Sequence, residues 1–212
     1  MTTGEQTPSK KTQILEATAT LLSTKGLQAL SFENVALEAG LSRQLVRYYY
    51  ADLDSMVCDL CDHLGGSYRD TLVDGIVKVG KVERLKFFLD FFFDLAETHP
   101  MPVNLETYDA MIAYSVGCPQ LKERMCDQYK ILGQVIVHEL KIAYPDLGSA
   151  ACEELSFMFV SMMHAHWSFV ASLGHTRDHS RLARRAFDRL IQSYVEDSSD
   201  VPVIERPWAR AR

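Results

Sequence analysis

From Pro8 to Val195 nearly every segment places its apolar residues at helical spacing, and no stretch alternates as a half-buried strand would. A chain with that pattern buries its apolar stripes by packing helix on helix, so the expected fold class is all-α. Only 7 prolines and 11 glycines occur in 212 residues, which favours long helices over tight turns. Nine helices are predicted: Pro8 to Lys25, Phe32 to Ala39, Arg43 to Tyr49, Asp54 to Val79, Val82 to Thr98, Leu105 to Val116, Gln120 to Tyr144, Ala150 to Leu173 and Arg177 to Val195. Thr7 is the expected N-cap of the first, with Pro8 in its first turn and Gly26 closing it. Residues 197–212, Ser/Asp-rich and then RPWARAR, are expected to form a disordered tail.

Several functional classes find no support. The opening MTTGEQTPSKK has no apolar stretch behind its charges, so it does not read as a secretory signal. The most apolar window, Leu155 to Leu173, is interrupted by His164 and His166 and does not read as a membrane span. A soluble, cytoplasmic chain is expected. The five cysteines, an odd number, give no disulfide framework. Cys58 and Cys61 form a CxxC within a helical pattern, and two buried or half-buried thiols are favoured over zinc or redox chemistry. His175 and His179 can share a helical face, but nothing completes a metal site, and surface histidines are the favoured reading. No catalytic signature occurs. No enzyme, metal or cofactor is therefore expected.

The net charge of −6 argues at first against nucleic acid, yet it is unevenly placed. Residues 1–50 carry five Lys or Arg against four acids, a net of +1, which leaves −7 for residues 51–212. A small DNA reader joined to an acidic regulatory body has this asymmetry.

The segment SFENVALEAGLSRQLVRYYY, residues 31–50, sharpens that reading. Ser31 and Ser42 can each cap a short helix. Gly40 sits where the chain must turn sharply, with a positive φ that glycine accepts at little cost. Ala36 is small where the two helices cross, and Val35, Leu41 and Val46 are apolar where the pair seats on the first helix. These are the requirements of two helices crossing steeply over a short turn. The second helix then presents Arg43, Gln44, Arg47, Tyr48 and Tyr49, side chains able to reach base edges or phosphates in a major groove. Ser31, at a helix N-terminus, can hold a phosphate. A helical hairpin without a nucleic-acid role is the alternative.

Residues 11–60 resemble the DNA-binding domain of the tetracycline-repressor (TetR) family: ILEATATLLSTKG, then SFENVALEAGLS, then LVRYYYADLDSM. The resemblance covers about fifty residues, and the rest agrees in helix number and length. Two positions depart from the family's pattern. Arg47 stands where a tyrosine is usual, and Leu53 replaces the phosphate-gripping lysine that usually opens the fourth helix. Arg47 either restores the lost phosphate contact or reads a guanine.

The resemblance implies a helix-turn-helix domain over 1–53 and a helical ligand-binding and dimerisation domain over 54–196. It also implies a homodimer on a palindromic operator in double-stranded DNA, acting as a repressor released by a small-molecule effector. A cavity for a largely apolar or aromatic ligand is expected among Phe88, Phe92, Tyr108, Met111, Tyr114, Tyr129, Met162, His166 and Trp167, with His166, Tyr108 or Tyr129 as polar anchors. Plain core packing is the other reading of this stripe. Met158, Ser161, Ala165, Phe169, Phe187 and Ile191 are expected near the dimer interface. A helical binding or interaction protein that has lost operator recognition is the runner-up.

Overall fold

Ser9 starts the first helix: its Oγ accepts the Thr12 N–H at 3.1 Å, and α1 runs over Lys10–Lys25. The start therefore falls two residues later than expected, and Thr7 lies outside the described residues. The computed structural model describes residues 8–101, 105–176, 178–196 and 207–209. Among them the chain is all-α, with no strand: α2 (Phe32–Glu38), α3 (Arg43–Tyr49), α4 (Leu53–Lys78), α5 (Arg84–Phe92), α6 (Glu106–Ser115), α7 (Pro119–Ala143), α8 (Ser149–Trp167) and α9 (Asp178–Glu196) follow α1. Short 3₁₀ turns occupy Leu27–Ala29 and Lys81–Glu83, and a π turn occupies Ser168–Ser172.

The chain divides into two units. The first comprises residues 1–66 and 104–125, so it reaches beyond the boundary expected at residue 53 and takes in α6. Its core is the apolar stripe of α1, with Ile14, Leu15, Leu21 and Leu22 buried alongside Val35, Val46, Met56, Leu60 and Met111. Burial of each such side chain contributes about 1.5–3 kcal/mol. Two buried hydroxyls of this core find backbone acceptors. Thr18 Oγ1 donates to the Ile14 carbonyl at 2.8 Å, and Thr107 Oγ1 donates to the Ala19 carbonyl at 3.2 Å, tying α6 to α1. Gln13 Nε2 donates to the Ala39 carbonyl at 2.7 Å, where α2 has run out of helical partners.

The second unit comprises residues 67–103 and 126–212 and is organised by aromatic rings. Phe159 has its centroid 5.9 Å from Phe92, 5.9 Å from Phe93 and 5.2 Å from Phe187. Trp167 stacks on Phe92 at 6.0 Å, and its Nε1 donates to the Phe92 carbonyl at 2.8 Å, so the buried indole N–H is satisfied. Arg184 Nε donates to Asp90 Oδ1 at 2.9 Å, joining α9 to α5.

Two helix ends differ from expectation. α5 was expected to reach Thr98 but stops at Phe92, because Asp94 adopts a left-handed φ of 55°. The Leu95 N–H then reaches the Asp90 carbonyl at 2.8 Å and the Asp94 N–H the Phe91 carbonyl at 2.9 Å, a Schellman closure with aspartate in the usual place of glycine. α8 was expected to reach Leu173, but it loses its α geometry at Ser168, where the Leu173 N–H bonds the Ser168 carbonyl five residues back. Within the segment 197–212, Pro207–Ala209 are described, and Trp208 Nε1 donates to Ser156 Oγ at 2.9 Å. The other residues of that segment lie outside the described ones.

The turn between α2 and α3 is the tightest local demand. Gly40 has φ +63°, its N–H bonds the Leu37 carbonyl at 3.1 Å, and the Leu41 N–H bonds the Ala36 carbonyl at 2.9 Å. A Cβ on Gly40 would meet nothing within 4 Å, so the demand is on backbone conformation and not on space. Gly40→Ala is expected to cost about 1–2 kcal/mol in urea unfolding, and Gly40→Asn distinctly less, since asparagine tolerates the left-handed region. Equal losses for both would contradict the conformational cause.

Candidate functional site

The outward face of α3 is set by what its inward face must bury. Val46 is fully buried and Leu45 half-buried, which turns Arg43, Gln44, Arg47, Tyr48 and Tyr49 outward, all exposed. Ser42 caps the helix, its Oγ accepting the Leu45 N–H at 3.2 Å, and Ser31 caps α2 by accepting the Asn34 N–H at 3.1 Å. Each hydroxyl keeps its own proton for a further acceptor. All seven residues singled out for nucleic-acid contact lie in the first unit, on α2, α3 or their caps.

Charge at this face is better placed than a net of +1 suggests. Lys11 pairs with Asp59 at 2.7 Å and Lys25 with Glu38 at 3.3 Å, so both are neutralised locally. Arg43 and Arg47 pair with no acid among the described residues. Arg47 lies over the ring of Phe32, 4.9 Å from its centroid. That cation–π contact restrains a long side chain without consuming its hydrogen-bond donors. Tyr48 and Tyr49 meet edge to face at 5.5 Å, and Tyr48 is 82% exposed.

Sequence reasoning missed three parts of this face. Phe32 is the seat of Arg47, a pairing across two helices that sequence spacing does not show. Leu37, 80% exposed on α2, is an apolar side chain among polar neighbours, a signal that was available. Asp52 caps α4: its Oδ1 accepts the Ser55 N–H at 2.7 Å, which holds its carboxyl below the usual range. A carboxylate therefore caps the helix start beside Leu53, which itself stands where the family pattern has a lysine.

The residues expected to line a ligand cavity fall in separate units. Tyr108, Met111 and Tyr114 belong to the first, where Met111 is buried and Tyr114 Oη donates to Asp54 Oδ1 at 2.5 Å. Phe88, Phe92, Tyr129, Met162, His166 and Trp167 belong to the second, where Phe88, Phe92 and Trp167 are buried and Tyr129 Oη meets His164 Nδ1 at 3.1 Å. Only His166 of this set lines the cavity of about 340 Å³ in the second unit, beside Phe169, Val170, His175, His179 and Leu182.

Of the residues expected at a dimer interface, Met158, Ser161, Ala165 and Phe169 are exposed. Phe187 and Ile191 are buried inside the second unit, Phe187 against Phe159. Leu182 and Val195 are the exposed apolar side chains of α9, and the sequence reading passed over them. Among the described residues no group of three or more His, Cys, Asp or Glu is placed to hold a metal ion, and no helix is long and apolar enough to cross a membrane.

Residues 14–57 match the family model for bacterial regulatory proteins, tetR family. No curated protein matches the chain in sequence. The fold is shared with a transcriptional regulator from Rhodococcus sp. Rha1, at TM-score 0.71 and 15% identity over 92% of this chain and 100% of that one. It is likewise shared with a TetR transcription regulator from Haloarcula marismortui, at 0.71 and 17% over 87% and 97%. A transcriptional regulator from Saccharomonospora viridis in complex with choline matches at 0.69 and 15% over 92% and 98%.

His166 yields a pH test of the second unit. Burial first, and then the neighbouring charge of His179, hold its pKa below the ordinary 6.5. The unfolded chain thus takes up a proton that the folded chain resists. The stability contributed by neutral His166 is present above about pH 6.5 and is lost as pH falls through the lower folded value. The melting temperature of the native chain is expected to drop more between about pH 7.5 and pH 5 than that of His166→Gln. An equal drop would contradict the assignment.

Proposed function

We propose that the chain, whose residues 14–57 match the family model for bacterial regulatory proteins, tetR family, is a member of that family and a ligand-responsive homodimeric repressor. In this reading it holds a palindromic operator in duplex DNA and releases it on binding a small, largely apolar or aromatic molecule. The observation that carries the reading is the outer face of α3, where two arginines without an acidic partner among the described residues stand beside a polar glutamine and two exposed tyrosines. Arginine at such a position reads guanine or grips phosphate, and Arg47 is already restrained over Phe32. The cytoplasm, where the DNA is, is the proposed place of action.

A dimer follows from the target's geometry. Two recognition helices must meet successive major grooves about 34–36 Å apart, which a two-fold pair of chains supplies. The proposed pairing surface is the exposed apolar side of α8 and α9, with Met158, Ala165, Phe169, Leu182 and Val195 on it and Phe187 and Ile191 behind it. The effector would be taken by the helical body, for which the buried aromatic set of Phe88, Phe92 and Trp167 offers apolar surroundings. That the Saccharomonospora viridis regulator, similar in fold, is in complex with choline supports a small-molecule effector. Ligand that binds the non-DNA-binding conformation better would draw the population from the operator. Whether the outcome is repression or activation depends on where the operator lies.

A second reading, a helical ligand binder with weakened operator recognition, is favoured by the start of α4. There Leu53 and the Asp52 cap leave no cation for the phosphate that the family's lysine grips. The two readings separate on the arginines. On a duplex that the native chain binds, Arg43→Ala and Arg47→Ala are each expected to weaken binding by about 1–3 kcal/mol if they read bases. If Arg47 serves a phosphate, its loss also reduces the slope of log affinity against log salt by about one. Fluorescence anisotropy at several salt concentrations measures both. Unchanged affinity in both variants would favour the second reading.

A further inference from the structure

We propose that Trp208, keyed into a notch between α7 and α8, forms one edge of the surface on which a second copy of this chain docks. The inference rests on the pairing of chains proposed above and adds to it a residue from outside the helices. A glycine inside a helix weakens it relative to alanine, so Gly133 in α7 needs a reason. The reason is space: a Cβ there would run into the indole of Trp208, 2.5 Å from Cε2 and closer still to Cζ2. On the other wall of the notch the Trp208 Nε1 donates to Ser156 Oγ at 2.9 Å. Ser156 is fully buried and gives its own proton to the Glu153 carbonyl at 2.9 Å, which leaves a lone pair for the indole. Notch, acceptor and ring all belong to the second unit.

The notch opens onto the exposed side of α8. The Trp208 ring meets Phe157 edge to face at 5.3 Å. Phe157, Ser161 and Ala165 follow one another four residues apart on that side, with Met158 and Phe169 beside them, and all are exposed. With the indole against it Phe157 is still 39% exposed, and Met158 is 40% exposed. The indole therefore widens this row onto α7 and does not cover it. A contiguous exposed apolar row marks an interaction site, and tryptophan is enriched among the side chains that dominate interfaces. A second copy is the occupant that fits. None of the row's side chains is charged, so it offers nothing to a charged partner, and α3 needs a two-fold mate to meet two major grooves. A two-fold interface uses the same edge twice, so the pairing gains the indole of both chains.

Subunit exchange tests this on the full-length protein without DNA, by energy transfer between chains labelled at the amino terminus with a donor or an acceptor fluorophore. Trp208→Ala is expected to speed exchange at least about tenfold over the native chain. Gly133→Ala, which evicts the indole without touching the row, should do the same, and the double variant should be no faster than the faster single one. Ser156→Ala, which removes the acceptor, should speed exchange by about threefold to tenfold. A strap that served only to hold α7 on α8 would lower the melting temperature of these variants and leave exchange at the native rate. Met158→Glu, aimed at the row itself, should abolish energy transfer while the helical circular dichroism is unchanged. Native exchange rates in both Trp208→Ala and Gly133→Ala overturn the proposal, and loss of transfer in Met158→Glu then leaves the pairing reading standing. Slower exchange in Trp208→Ala would mean that the indole covers the row, which overturns it equally. No transfer between native chains contradicts the pairing reading itself, and this proposal with it.

Discussion

Everything proposed for the first unit depends on the chain reversing between α2 and α3 within one left-handed residue. The Gly40 and Leu41 N–H groups close α2 on the Leu37 and Ala36 carbonyls, Gln13 takes the Ala39 carbonyl left over at the same end, and Ser42 starts α3 at once. With both ends satisfied, Val35 and Val46 can be buried against α1, and the opposite face of α3 has no choice but to point outward. The orientation of Arg43, Gln44 and Arg47 is thus a consequence of the backbone turn at Gly40. Their chemistry only matters because the turn holds.

The second unit obeys a different constraint. Its core is built from rings, and the buried Trp167 indole N–H finds its acceptor on the Phe92 carbonyl. Where α8 approaches its end the chain trades α geometry for a π turn, and the packing opens into a cavity instead of closing. The same stretch supplies exposed Phe169 and Leu182. Apolar surface in this part of the fold is therefore the candidate for pairing of chains.

Much of this was legible in the sequence where a local rule has one outcome. Seryl caps, a positive-φ glycine and helical spacing located α2 and α3 to within a residue, and they placed the polar face of α3 correctly. Legibility failed where two residue types can meet the same demand. Asp94 ends α5 as a glycine would, and no glycine or proline marked the place. It failed again where facing depends on tertiary packing: Phe187 and Ile191 sit on an amphipathic helix whose apolar stripe turned inward, leaving Leu182 and Val195 outside.

Sequence-specific recognition of duplex DNA by a pair of α3 helices is the central claim, and selection of bound sequences from a random duplex pool at two salt concentrations tests it most directly. An inverted repeat with half-sites about one helical turn apart, still enriched at the higher salt, is the predicted result. A pool that shows no enrichment, with only weak binding that salt abolishes, would contradict it and leave α3 a helix that no longer reads bases.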